Sequence, residues 1–315
     1  MADTSNPLIK IGFLACAETL PAKHGGAIER RGDAFEHDLE VAALRPAFAE
    51  AGLQLVEIDW RAPIGDFDGL ALILLGTAWD YQDHAAEFLT RLECLDQRGI
   101  IICNAPEIVR WNTDKSYLRE LAKAGVATIP TLWHDHVGQA EIASAMAHFH
   151  TDRVIVKRQI GAGALGQQSF THDSLPEADW QFGHAAMIQP FLPAILDEGE
   201  LTFVFIDGQF SHGVRKLAAS GDYRIQSLYG GTEDNFHPSP QELAAAQAVV
   251  DALPFSDQSS AAPLYARVDM VRLENDSTGT SHLAVMEAEL IEPFLYPLQG
   301  PQLGKLLTKA ICARL

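Results

Sequence analysis

A lysine and a glycine-rich loop make the first chemical constellation in this chain. Lys157 ends the apolar run Val154-Ile155-Val156 and stands four residues before "GAGALG", Gly161 to Gly166. An ammonium on so apolar a strand must meet an anion or snorkel to water, because burying it unpaired is costly. The spacing G-x-G-x-x-G fits a dinucleotide-binding turn, which requires a helix after the loop. Here the loop runs into "QQSF", which reads as a strand. A strand, glycine loop and strand form a flap whose backbone N–H groups can fold over phosphates. The plainer alternative is an ordinary hairpin.

The second constellation is acidic. Asp269 lies in "YARVD", and Glu287, Glu289 and Glu292 lie in "MEAELIEP". Glu287 and Glu289, two apart on a strand, share a face, and Asp269 can approach that face if the two strands pair. Carboxylates gathered in apolar surroundings repel unless a hard cation joins them, and oxygen ligands suit magnesium. A solvated acidic edge strand would also be acidic, but "LAVMEAELIEPFL" is too apolar for that. Basic residues are scarce at a net charge of −19 over 315 residues. Lys157, Arg158, Arg215, Lys216, Arg224 and Arg267 nevertheless fall in one stretch, as an anion pocket in an acidic protein would require.

These groups need a scaffold. Residues 8–16, 53–59, 70–76 and 100–104 read as strands, with helices over 36–52 and 83–99. Such alternation implies a parallel sheet with ligand-binding loops after its strands, here 17–33 and 77–82. Trp79, Asp80 and Tyr81 are candidate pocket walls, and His24, His37 and Asp38 weaker ones. From residue 112 the pattern becomes α+β. It has a helix over 112–125, strands at "VIVKRQ", "MIQPF", "ELTFVFI", "GQFSHGVRK" and "YRIQSL", and a turn at Asp207-Gly208. A helix over 239–253 has Ser239 and Glu242 at capping-box spacing, and a last hairpin crosses the polar tip 274–281.

Composition narrows the function further. The acidic balance argues against nucleic acid as a partner. No apolar run is long enough for a membrane helix, and the polar start 1–10 has no signal-peptide core, so a cytoplasmic protein is expected. The four cysteines, Cys16, Cys94, Cys103 and Cys312, form no C-x-x-C pair. Cys94 and Cys103 are expected as buried thiols, and Cys16 lies close to the ligand-binding edge of the sheet.

Taken in order, Lys115, Lys157 with its glycine loop, "QPFLPAILDEGE", "GDYRIQSLYGG", "YARVD" and "MEAELIEP" resemble the ATP-grasp ligases. The series is similar to bacterial glutathione synthetases and to the ATP-grasp cyclo-ligases that close the D-cycloserine ring. It covers the chain from residue 112 onward. The resemblance implies an ATP-grasp fold behind a Rossmann-like pre-ATP-grasp domain. Residues 1–111 would form that domain, 112–187 the lid, and 188–315 the unit with the metal site.

The resemblance also implies roles. Lys115 and Lys157 would hold the α- and β-phosphates of ATP under a lid of Gly161, Gly163 and Gly166. Gln189, Pro190, Phe191 and Leu192 would be the hinge at adenine, with Glu200 on the ribose and Arg224 on the γ-phosphate. Lys216, Gly230 and Gly231 would meet the substrate, and Arg267 would stabilise the acyl phosphate and tetrahedral intermediate. Asp269, Glu287 and Glu289 would hold magnesium. The family usually has asparagine at Glu289, and glutathione synthetases have arginine at Thr202, so their peptide substrate is not expected. The implied reaction activates a carboxylate-type carbon of a small amino-acid-like molecule as an acyl phosphate for attack by an amine, including ring closure. A non-catalytic nucleotide-binding domain and an NAD-dependent dehydrogenase are the alternatives, and a homodimer is the base-rate assembly.

Overall fold

The computed structural model describes residues 8–21, 29–161, 163–225, 227–255, 262–274 and 281–315. Its first unit alternates as the sequence predicts: β1 (Ile9–Ala15), α1 (Ala34–Glu50), β2 (Leu53–Asp59), β3 (Leu70–Thr77), α2 (Ala85–Gln97) and β4 (Ile101–Cys103). The four strands form a parallel sheet in the order β2-β1-β3-β4. Residues Leu72 to Thr77 of β3 are all buried, which explains their unbroken apolar run: a parallel sheet is covered on both faces. Helix α1 turns His37, Val41, Leu44 and Phe48 inward. Cys16 and Cys103 are buried, but Cys94 is exposed, contrary to expectation. It lies off the stripe Phe88, Leu92 and Leu95 that α2 buries.

The single helix expected over 112–125 is two, α3 (Pro106–Thr113) and α4 (Tyr117–Lys123). Asp114 Oδ1 accepts the Ser116 N–H at 2.8 Å, a local bond that competes with helix continuation. Pro106 at the first turn of α3 was the unread start signal. Next come β5 (Leu132–His134), β6 (Val137–Gly138), α5 (Gln139–Phe149), β7 (Arg153–Arg158), β8 (Gln168–Thr171), β9 (Gln181–Phe182) and β10 (Ala186–Pro190). Strands β5-β10-β7-β8 form an antiparallel sheet, and β10 spans the boundary expected at residue 187. The glycine loop joins β7 to antiparallel β8 with no helix after it, so the dinucleotide fingerprint is not built.

The third unit holds α6 (Ala194–Asp197), β11 (Glu200–Ile206), β12 (Gln209–Leu217), β13 (Thr232–Phe236), α7 (Pro240–Asp251), β14 (Tyr265–Leu273), β15 (His282–Glu289) and α8 (Leu303–Cys312). Its antiparallel sheet runs β13-β12-β11-β14-β15. Asp207 (φ 51°) and Gly208 (φ 72°) make the expected hairpin turn. Ser239 caps α7, and Glu242 returns a bond to its N–H at 2.8 Å. The stretch "YRIQSL" is not the expected strand. Asp222 Oδ1 instead accepts the N–H groups of Tyr223 and Arg224 at 2.7 and 3.0 Å, diverting them from a ladder, and β13 pairs with β12. Gln226 and most of the last hairpin's tip lie outside the described residues.

One core is shared by the two ends of the chain. Phe13, Leu44 and Phe48 pack with Tyr265, Phe294, Leu303 and Leu307. Helices α1 and α8 approach so closely that a Cβ on Gly304 would stand 2.2 Å from the Ala43 carbonyl oxygen. No helix among the described residues is long and apolar enough to cross a membrane.

Candidate active site

The register of β14 against β15 sets Asp269 opposite Glu287 and Arg267 opposite Glu289. All four therefore line one face, in a cavity of about 290 Å³ that is also bounded by the glycine loop and the first unit's loops. Asp269 is buried and surrounded by donors: Thr202 Oγ1 at 2.5 Å, Arg267 at 2.9 Å and Lys216 Nζ at 3.3 Å. Burial alone would raise its pKa, but Arg267 and Lys216 outweigh burial and hold it at about 2. Glu289 pairs with Arg267; burial, with Glu287 close by, still lifts its carboxyl to about 7. Glu287 pairs with Lys115 at 2.8 Å. Burial opposes the Lys115 ammonium, yet Glu287 leaves its pKa raised.

Lys216 bridges Asp269 and Glu200, the latter at 2.5 Å. Burial raises Glu200 to about 7 against that attraction. Each expected metal carboxylate is thus turned to a cation, and no three acidic, His or Cys side chains among the described residues form a closed cage. Asp269, Glu287 and Glu289 nevertheless offer, on two neighbouring strands, hard oxygen donors of the kind magnesium takes.

A smaller, mostly apolar cavity of about 80 Å³ adjoins the first, lined by Ile155, Gln189, Pro190, Phe191, Leu192 and Met286. Lys157 lines both cavities. Burial pushes its pKa down, with Glu287 and Glu200 opposing, and it makes no ion pair with the described residues. The loop above has Gly163, Ala164 and Gly166 at φ 60°, 56° and 72°, and the Gly161 carbonyl accepts a bond from Lys115. Glycine is needed at Gly163 and Gly166, where left-handed backbone brings the loop close to the cavity.

Other expected residues sit elsewhere. Arg224 borders the smaller cavity, stacked 3.8 Å over Tyr229 and paired with Asp222 at 2.7 Å. Its guanidinium holds Asp222 well below the usual carboxylate range. Leu228 and Tyr229, rather than Gly230 and Gly231, face the larger cavity. Trp79 lines it and donates to the Glu292 carbonyl at 3.0 Å. Asp80 holds Trp60 and Arg61, and Tyr81 is buried against Phe88. His37 is buried between Thr77 and Glu57, and Asp38 pairs with Arg30 near the surface. His24 lies outside the described residues. Arg158, of the basic stretch, also lines the cavity, as do Arg31 and Asp33 from the expected ligand loop 17–33; Glu36, in the first turn of α1, was not singled out.

Comparison with known proteins agrees with this geometry. Residues 11–104 match the N-terminal domain family of D-cycloserine synthetase DcsG. The cycloserine biosynthesis protein DcsG of Streptomyces lavendulae is 26% identical over 274 residues, 82% of this chain and 88% of that protein. A glutathione synthetase of Nostoc sp. (strain PCC 7120) is 26% identical over 156 residues, 48% of this chain and 46% of that protein. The crystal structure of D-cycloserine synthetase DcsG superposes with a TM-score of 0.75 at 22% identity, covering 97% of this chain and 99% of the other. The D-alanine–D-alanine ligase of Bacillus anthracis complexed with ATP superposes with a TM-score of 0.62 at 16% identity, over 97% of each chain. In sequence and in fold alike, this chain is similar to D-cycloserine synthetase, and its fold is the one seen in the ATP-grasp structures.

Proposed function

We propose that the chain forms a carbon–nitrogen bond at the expense of ATP. The γ-phosphoryl group passes to a carboxylate-type oxygen of a small amino-acid-like substrate, and an amine then displaces phosphate. The observation that carries this reading is Lys157, an ammonium without an ion pair among the described residues, between an apolar slot and an acidic, arginine-bearing cavity. Adenine fits the slot along Gln189 to Leu192, with Glu200 toward the ribose. Lys115 and Lys157 meet the α- and β-phosphates beneath Gly161, Gly163 and Gly166; Arg224, expected at the γ-phosphate, stands instead on the adenine side of the slot, paired with Asp222.

Asp269, Glu287 and Glu289 are the residues that would hold magnesium, which supplies charge neutralisation on the polyphosphate. Arg267, fixed by Asp269 and by the Phe294 carbonyl at 3.2 Å, faces the cavity where negative charge would develop on the activated carbon. A fixed guanidinium there needs little reorganisation as the charge forms, which is how such groups lower a barrier. Lys216 borders the substrate together with Leu228 and Tyr229, which precede Gly230 and Gly231. The three units, 1–111, 112–187 and 188–315, divide the work into substrate loops, lid and metal site.

Intramolecular ring closure is the finer reading. It is supported by similarity over most of both chains and by the N-terminal match. A cytoplasmic homodimer completes the proposal. The test is ADP release across amino acids and O-substituted serines, with hydroxylamine present to trap an acyl phosphate as a hydroxamate. AMP and pyrophosphate as products would mean adenylation and would end this mechanism.

A further inference from the structure

Arg158 follows Lys157 at the end of β7 and crosses from the lid to the first unit. Its terminal nitrogen donates to Asp83 Oδ1 at 2.9 Å. Asp83 ends the short turn after β3, in the loop that carries Trp79 to the Glu292 carbonyl. Among the described residues this is the one ion pair joining residues 127–190 to residues 8–104. The Arg158 side chain is 12% exposed and Asp83 54%, so the contact is anchored at the lid end and open at the other.

Two details make Arg158 more than a surface partner. The glycine loop wraps its stem: a Cβ on Gly161 would lie 3.3 Å from Arg158 Cβ, and one on Gly166 would lie 3.7 Å from its Cδ. Its Nε is buried without a hydrogen-bond partner among the described residues, although Arg158 borders the larger cavity. A buried donor left unmade is unfavourable until an acceptor arrives, and a guanidinium can serve two acceptors through its planar fork.

We propose that Arg158 is a positioning residue that bridges the nucleotide to the substrate loop, its Nε donating to a phosphate oxygen beneath the glycine loop while its terminal nitrogen keeps Asp83. This rests on the ATP reading above. Nucleotide binding then steadies two segments together, the glycine loop and the Trp79–Asp83 loop, so the substrate wall is held more tightly when ATP is in place. A half-exposed pair adds little stability alone; its effect is to transmit order from one loop to the other.

Hydrogen exchange of the full chain with AMP-PNP and magnesium tests this. In wild type, exchange should slow on the order of tenfold in both the glycine-loop peptide and the peptide spanning 78–84. In Asp83→Ala, a change at an exposed position, only the glycine loop should be protected, and Asp83→Glu should restore protection of both. Arg158→Lys keeps the charge but loses the fork, and should weaken AMP-PNP binding about tenfold. Equal protection of 78–84 in wild type and Asp83→Ala would overturn the bridge. So would glycine-loop protection in wild type with none at 78–84, or unchanged AMP-PNP affinity in Arg158→Lys. Protection of neither segment would remove the nucleotide reading, and the bridge with it.

Discussion

Replacing Lys157 with methionine separates two effects of opposite sign. In the free protein the ammonium is half-buried with no ion pair among the described residues, and burial already disfavours its charge. Methionine fills a similar volume without that cost, so the free variant should be at least as stable as wild type. With nucleotide present the balance reverses, because a charge-assisted bond to phosphate is lost, about 2 kcal/mol. That is roughly a thirtyfold rise in Kd. At ATP–magnesium a hundredfold above the wild-type Kd, ligand stabilisation is about 2.7 kcal/mol for wild type and about 0.9 kcal/mol for the variant. Thermal denaturation with and without ATP–magnesium reads both quantities, and calorimetric titration gives the affinity directly. Unchanged ATP affinity in the folded variant would refute the placement of the phosphates. A strongly destabilised free variant would refute the claim that Lys157 waits for an anion.

Other outcomes follow from the same geometry. Asp269→Asn and Glu287→Gln should each nearly abolish turnover, whereas Glu289→Asn, which keeps an oxygen at the site, should retain activity with a higher magnesium requirement; turnover against free magnesium checks all three. Glu40 is buried, accepts the Leu295 N–H at 2.7 Å, and burial raises its carboxyl from 4.5 to about 8. Its neutral form therefore contributes stability that is complete below pH 4.5 and lost as pH rises through 8, up to about 5 kcal/mol. Glu40→Gln keeps the acceptor and should flatten that loss, as urea midpoints at pH 5 and pH 8 would show; parallel declines in both proteins would contradict it. Gly304→Ala should destabilise by about 1–3 kcal/mol, since α1 and α8 must part to admit the methyl group, and calorimetry would measure it.

Much of the scaffold was legible because burial writes itself into periodicity. The parallel strands appeared as apolar-rich runs, unbroken in β3, the final hairpin as two apolar runs across a polar tip, and α7 through Ser239 and Glu242. The failures were local. Asp114 and Asp222 use their carboxylates on nearby backbone N–H groups, which ended a helix early and dissolved an expected strand, and apolar content cannot report that. Within the site, strand spacing correctly placed Glu287 and Glu289 on one face with Asp269 opposite. What sequence could not convey is the pairing of each carboxylate with a cation, because Lys115, Lys216 and Arg267 come from three separate segments. Nor does the sequence give Asn112, at the start of the expected helix 112–125, a role. In the structure its amide spans β15, donating to the Ala288 carbonyl at 2.7 Å and accepting the Leu290 N–H at 2.9 Å. That bond ties α3 to the strand that carries Glu287 and Glu289.

The closure of α8 onto α1 matters during synthesis. A ribosome delivers the first unit's strands and helices long before Leu303, Leu307 and Ile311 emerge, yet these cover Leu44 and Phe48. The nascent first unit therefore carries an apolar seam open to solvent for most of translation, and a chaperone would find its binding surface there. Only as the final helix leaves the exit tunnel can that seam seal, so truncation at the C-terminus would uncover a defect in the oldest part of the molecule.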